Sequence, residues 1–269
     1  PAMRYSNVSK NSVDINTRYL QGGLLLMDNN TGHVLAMIGG RNFTHSKYNR
    51  ITQAKRQPGS SIKPTYYTAA LEKGYTPATV IIDSPITLTG GDGKEWTPQN
   101  FSRQYYGPTR MRTAITYSYN VWAVKAVMDI GLDVVNDAFL RFGINTKAAD
   151  YSAALGAYEV TPLNLISAFT TFPNGGYRTK PIFITRVEDM NGKVLERSAT
   201  SKYQVTSPEV AFLMTSMLQS VVTSGTGAAA RNNYYWQAAG KTGTSSDHRD
   251  AWFIGFNKKY TLGIWNGFD

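Results

Sequence analysis

Gln237-Ala-Ala-Gly-Lys-Thr-Gly-Thr244, Ala251-Trp-Phe-Ile-Gly-Phe256 and Thr261-Leu-Gly-Ile-Trp265 are three strand-like runs in close succession. Only Ser245 to Asp250 and Asn257-Lys-Lys259 separate them, and connections this short join adjacent antiparallel strands. A matching group stands near the other end. Gly22 to Met27 is an apolar run, Asp28-Asn-Asn-Thr-Gly32 has turn chemistry, and His33 to Ile38 resumes the apolar pattern, which predicts a hairpin. Between the two groups the periodicity turns helical. Ser207 reads as an N-cap with Pro208 at the first helical position, and Val210, Leu213, Met214, Met217, Leu218, Val221 and Val222 recur at three and four residues. Asn120 to Ile130, Asp133 to Phe142 and Thr161 to Phe172 carry similar stripes, followed by Gly131, Gly143 and Gly175. Strands at both ends with helices between them give an α+β domain whose terminal segments share one sheet. Ile182 to Glu188 and Lys193 to Glu196, around Asn191-Gly192, predict a small surface hairpin, and Gly90-Gly-Asp-Gly93 a loop. Trp252 and Phe253 are assigned to the core.

At 42% hydrophobic and 17% charged, the 269 residues have the balance of a folded globular chain. No apolar run approaches the ~18 residues of a membrane span. The opening Pro1-Ala-Met lacks a basic-then-apolar leader signal, so residues 1–19 read as an extension or linker and 20–269 as the domain. Zero cysteines exclude disulfides, thiolate metal sites and a cysteine nucleophile. The net charge of +10 favours anionic surfaces such as lipid or wall polymer. Nucleic acid is set aside, because no finger, RNP or helix-turn-helix pattern accompanies the charge. His33, His45 and His248 have no catalytic frame, no Gly-x-Ser-x-Gly elbow is present, and no His and carboxylate spacing suggests a metal or other cofactor.

Three short motifs carry the chemistry: Ser60-Ser-Ile-Lys63, Ser118-Tyr119-Asn120 and Lys241-Thr-Gly-Thr244. Each alone is weak. Ser-x-Asn also occurs at Ser9-Lys10-Asn11, but upstream of Ser60, so order rejects that match. As an ordered set they describe a serine acyltransferase with a lysine base. The flanks narrow this further. Arg56-Gln-Pro-Gly-Ser60-Ser-Ile-Lys-Pro64, Leu155-Gly-Ala-Tyr-Glu-Val-Thr-Pro-Leu163, Asn174-Gly-Gly176, Ser224-Gly-Thr-Gly227 and Asp250-Ala-Trp-Phe-Ile-Gly255 resemble the transpeptidase domain of class A, bifunctional penicillin-binding proteins, from about Leu20 to Asp269. The resemblance implies a penicillin-binding/β-lactamase-like fold: an antiparallel five-stranded sheet from both chain ends, flanked by helices, with a central helical region. It also implies peptidoglycan stem peptides as substrate, β-lactams as covalent ligands of Ser60, a glycosyltransferase domain in the full-length protein, and a place on the outer face of the bacterial cytoplasmic membrane. Members of this family continue past the position of Asp269 into a C-terminal helix; its loss would leave an apolar sheet face exposed.

Gly59 and Ser60 precede Pro64-Thr-Tyr-Tyr-Thr-Ala-Ala-Leu-Glu72, so Ser60 is expected in the first turn of a helix, where free N–H groups favour an alkoxide-like nucleophile. Lys63 projects from the same face and can reach Ser60 directly. A lysine base must be neutral, and moving its pKa from about 10.4 to near 8 takes roughly 3 kcal/mol of environmental bias. Burial and the neighbouring cation Lys241 both push that way. Lys241 would also attract a substrate carboxylate, and Ser118 would relay a proton to the leaving amine. Asn120 orients the substrate backbone or caps the helix that follows it. Strand alternation puts Lys241 and Gly243 on one side, Thr242 and Thr244 on the other, with Gly243 admitting another backbone. By resemblance, the oxyanion hole is the N–H of Ser60 and of Thr244, and the threonine hydroxyls bind carboxylate. Ser224-Gly-Thr-Gly227 ends a helix or shapes the site wall.

Three other functions compete. A β-lactamase is suggested by Glu159-Val-Thr-Pro-Leu163-Asn164, close to a Glu-x-x-Leu-Asn segment, but one residue longer, so Glu159 is read as structural. A D,D-carboxypeptidase would let water resolve the acyl-enzyme. A non-catalytic β-lactam sensor or wall-binding module would have no reason to keep all three motifs.

Overall fold

The computed structural model describes residues 19–89, 93–232, 237–245 and 249–268. Nearly all of the expected N-terminal extension, most of the loop at 90–93, His248 and Asp269 therefore lie outside the described residues.

The two strand groups do form one sheet. β1 (Gln21–Asp28), β2 (Val34–Ile38), β3 (Ala239–Thr244), β4 (Asp250–Phe256) and β5 (Tyr260–Gly267) stand in the order β3-β4-β5-β1-β2, all antiparallel. The first strand is thus inserted between the last strand and its own hairpin partner. Leu24 pairs with Ile264 and Trp252 with Trp265, so the alternation of each strand is in phase with its neighbour. Leu25, Met27, Trp252, Ile254, Phe256 and Trp265 face the core. Leu24, Leu26, Phe253, Leu262 and Ile264 face the other way and are half-buried. The end of the long helix and the turn Ala228–Arg231 cover part of this outer face, leaving a cleft of about 300 Å³ lined by Leu26, Val222, Phe253 and Leu262 among others. Phe253 is therefore not the core residue expected of it, because strand alternation turns it away from Trp252.

Helices fill the middle of the chain: α1 (Lys63–Glu72), α2 (Met111–Thr116), α3 (Asn120–Ile130), α4 (Leu132–Arg141), α5 (Pro162–Ala168) and α6 (Pro208–Ser224). Ser207 caps α6 as its spacing predicts, its hydroxyl accepting from Val210 N–H. The core gathers Tyr66 and Tyr67 of α1, Trp122 and Val127 of α3, Phe139 of α4, and Met214 and Leu218 of α6. Packing of this size outweighs local propensity, and α1 shows it: almost every residue of the helix is buried, so it has no polar face to reveal a helical stripe.

The surface hairpin is shorter than its sequence suggests, pairing Arg186–Glu188 with Val194–Arg197. Three ribbons have no counterpart in the sequence reading: Val80–Asp83 with Gly107–Arg110, Leu88–Thr89 with Glu95–Trp96, and Tyr177–Thr179 with Lys202–Gln204. Each is too short to show alternation, and Gly107-Pro108 reads as a turn.

Candidate active site

Ser60 lies in a 3-10 turn, Gly59–Ile62, that runs straight into α1 at Lys63. Gly59 makes this possible. It takes φ +52°, and a Cβ there would stand 2.2 Å from the carbonyl oxygen of Thr244, so the turn can press against the end of β3 only with no side chain between. Gly243 opens a second close approach, where a Cβ would lie 2.5 Å from the Pro58 carbonyl oxygen. The sequence assigned that opening to an incoming backbone; the structure fills it with the chain's own Ser60 turn. Ser60 is thereby set beside edge strand β3, whose exposure alternates as expected: Lys241 and Gly243 buried, Thr242 half-buried, Thr244 exposed.

Lys63 is completely buried. Its Nζ donates to the carbonyl oxygens of Ser118 (2.8 Å) and Tyr119 (3.1 Å) and to Oδ1 of Asn120 (2.8 Å), with Ser118 Oγ at 3.4 Å. The direct bond to Ser60 expected from their spacing is not among these. Four oxygens of the Ser118 segment outcompete one hydroxyl for a desolvated amine. Lys241, equally buried, donates to Ser118 Oγ (2.9 Å) and to the Thr242 carbonyl (3.0 Å). Ser118 Oγ thus stands between the two lysines. Burial pushes Lys63 well below its usual 10.5, and the charge of Lys241 pushes it the same way. Burial also brings Lys241 down to about 7. The neutral amine that general-base chemistry requires is thus within reach near neutral pH.

Ser118 owes its position to an uncommon backbone. It adopts φ +61° just past the end of α2, where a glycine ordinarily closes the helix, and Tyr119 N–H returns to the Ala114 carbonyl at 2.8 Å. That left-handed step aims the hydroxyl between the amines. Asn120 is less free than the sequence implied. Its Oδ1 accepts from Lys63, and its Nδ2 donates to the Gln99 carbonyl at 2.9 Å, leaving one amide hydrogen for a ligand. Nor does it cap α3. That role falls to Asn100, whose Oδ1 accepts from the N–H of Asn120 (2.7 Å) and Val121 (3.3 Å). Nothing in a polar loop sequence marks Asn100 out, since its partners are supplied by the fold.

Ser224-Gly-Thr-Gly227 serves both readings: Gly225 closes α6, and Thr226 Oγ1 bonds Thr242 Oγ1 at 2.7 Å. Trp252 is buried, its Nε1 donating to the Gln57 carbonyl just before the Ser60 turn. Tyr106 stacks on Tyr119, ring centroids 4.3 Å apart, beside the site. Glu159 is exposed and makes no hydrogen bond among the described residues, while its neighbour Val160 pairs with Arg56 through the backbone. His33 is engaged in a bridge to Ile182.

Residues 22–262 match the penicillin binding protein transpeptidase domain family. The chain belongs to it. Penicillin-binding protein 1A of Neisseria flavescens is 39% identical over 259 residues, 93% of this chain and 32% of that protein. Its Aquifex aeolicus counterpart is 38% identical over 252 residues, 93% of this chain and 34% of that protein. The transpeptidase domain thus spans about a third of the length of the curated relatives it matches. The crystal structure of penicillin-binding protein 1A from Haemophilus influenzae superposes with a TM-score of 0.89 at 31% identity, covering 93% of this chain and 43% of that one. No helix among the described residues is long and apolar enough to cross a membrane.

Proposed function

We propose that this domain is a D,D-transpeptidase that cross-links peptidoglycan stem peptides through an acyl-enzyme on Ser60. The observation that carries the reading is the pair of buried lysines joined through Ser118 Oγ, next to a serine held against an edge strand. Family membership supplies the substrate class. Ser60 Oγ attacks the penultimate D-Ala carbonyl as its proton passes to neutral Lys63. The new oxyanion is received by the N–H groups of Ser60 and Thr244, a kind of contact worth about 3 kcal/mol of barrier per donor. The proton then moves through Ser118 Oγ to the departing D-Ala nitrogen, and an amine from a second stem resolves the ester. The donor peptide lies along β3 as an added strand, its carboxylate near Lys241, Thr242 and Thr244.

β-Lactams would acylate Ser60 as substrate mimics, with no cofactor. In the longer protein, a glycosyltransferase domain and an anchor would hold the site outside the cytoplasmic membrane. Exposure of Glu159 argues against the lactamase reading, which needs a carboxylate against the acyl-enzyme to activate water. Intact mass after mixing with benzylpenicillin tests both. A lasting adduct on wild type and none on Ser60→Ala is expected. An adduct lost within seconds, with hydrolysed penicillin accumulating, would overturn the transpeptidase assignment.

A further inference from the structure

We infer that Asn100 is a positioning residue for acyl transfer, acting through Asn120 and itself held by the buried Asp83. The inference rests on the proposed role of the lysine pair and concerns how that pair is kept in register.

The observations form one chain of contacts. α3 begins at Asn120 with no side-chain cap from its own segment. Asn100 supplies the cap from a distant loop, bonding the first two N–H groups of the helix. The residue before it, Gln99, takes the Asn120 amide through its carbonyl. Together they fix both the backbone and the side chain of the residue that receives Lys63 Nζ. Asn100 is buried, and its Nδ2 is spent on Asp83 Oδ2 (2.8 Å) and the Gln104 carbonyl (2.9 Å), so its amide cannot flip without losing every partner.

Asp83 is the unexpected member. It is wholly buried at the end of the ribbon strand Val80–Asp83, and its Oδ2 also accepts from Tyr106 N–H (3.0 Å). Its other oxygen, Oδ1, is buried with no hydrogen-bond partner among the described residues. A buried carboxylate oxygen left unpaired is expensive, so stability alone does not explain an aspartate here. What the carboxylate does provide is orientation: it ties the Asn100 amide and the Tyr106 backbone to the ribbon, and Tyr106 stacks on Tyr119, the residue whose carbonyl also receives Lys63.

The test is the second-order rate of Ser60 acylation by a fluorescent penicillin, read on the whole chain with Ser60→Ala as the blank. Failure of wild type to label would sink the function itself; the inference about Asn100 is judged among variants of a labelling protein. Asn100→Ala is expected to slow acylation about 10- to 100-fold, since a misplacement of about an ångström has that cost. Asn100→Asp sets two carboxylates against each other and should be as slow. Asp83→Asn, with its amide oxygen in the Oδ2 position, still accepts from Asn100 Nδ2 and Tyr106 N–H and should keep the rate within about threefold of wild type, whereas Asp83→Ala loses both contacts and should be slowed as Asn100→Ala is. In an Asn120→Ala background, Asn100→Ala should have a clearly smaller effect than it has alone, because the route through the Asn120 side chain is already cut and only the one through the Tyr119 carbonyl remains. Losses that multiply in full in that double variant, an Asp83→Asn rate as low as that of Asp83→Ala, or a wild-type rate for Asn100→Ala with the fold intact would each overturn the inference.

Discussion

A buried lysine is a costly group, and this site holds two of them touching one hydroxyl. Lys241→Met removes the charge that helps hold Lys63 below its ordinary pKa. Lys63 then stays protonated to higher pH, and the ascending limb of the acylation profile should move toward alkaline pH, measurable by stopped-flow labelling. The same lysines tie stability to pH. Their folded pKa values lie below the usual 10.5, so the unfolded chain binds more protons between the two values, and stability rises with pH from about 7 toward 10.5. Lys241→Met should flatten that rise by up to ~1.4 kcal/mol per pH unit, seen by comparing denaturant melts at alkaline and neutral pH. Ser118 offers a separate check, because its left-handed backbone suits glycine. Ser118→Gly should be about 1 kcal/mol more stable than Ser118→Ala, with acylation slowed in both. The motif residues were legible because their chemistry is written in their types. Asn100 and Asp83 were not: an asparagine in a loop and an aspartate on a short ribbon mean something only after distant segments have folded around them.

Between residues and the whole stand the contacts of one element on another, and the one that matters most is β3 against the Ser60 turn. Gly243→Ala would drive a methyl into the Pro58 carbonyl and the Ser61 side chain, so the strand and the turn must part. Expected are a loss of roughly 1–3 kcal/mol in stability and a larger fall in acylation than in folding, read by melting and labelling the same sample. Ser207→Ala is the contrasting change: it should cost ~1 kcal/mol through the lost cap of α6 and leave the acylation rate alone. α6 and the sheet strands were visible in the sequence because each is long enough for its period to repeat. The ribbon that presents Asp83 is four residues of uneven exposure, and its partner carries Gly107 and Pro108. Its pairing is decided by α3, which packs on it, and by Lys125, whose Nζ holds the Ile82 carbonyl at 2.8 Å.

At the scale of the molecule, everything depends on a sheet stitched from both ends of the chain. Removing β1 and β2 would leave one edge of β5 unpaired and take Leu25 and Met27 out of the core, uncovering what they pack on. A chain begun after Ile38 should neither melt cooperatively nor label with penicillin, as calorimetry and gel fluorescence would show. Leu25→Ala, within β1, should cost ~2–5 kcal/mol by cavity formation. The shared sheet was legible because strand groups at the two ends can satisfy their edges only by pairing, whereas the half-covered outer face depends on packing that no single segment encodes. That pairing also sets a clock on synthesis. Gln21 pairs with Gly267, so one strand waits for another made much later, on the order of tens of seconds at a ribosome's pace. Until then β3 has no finished sheet behind it, and Ser60 has no wall to lean on. A nascent chain therefore carries Ser60 unassembled, and the proposed acylation has to wait until β5 has been made and paired.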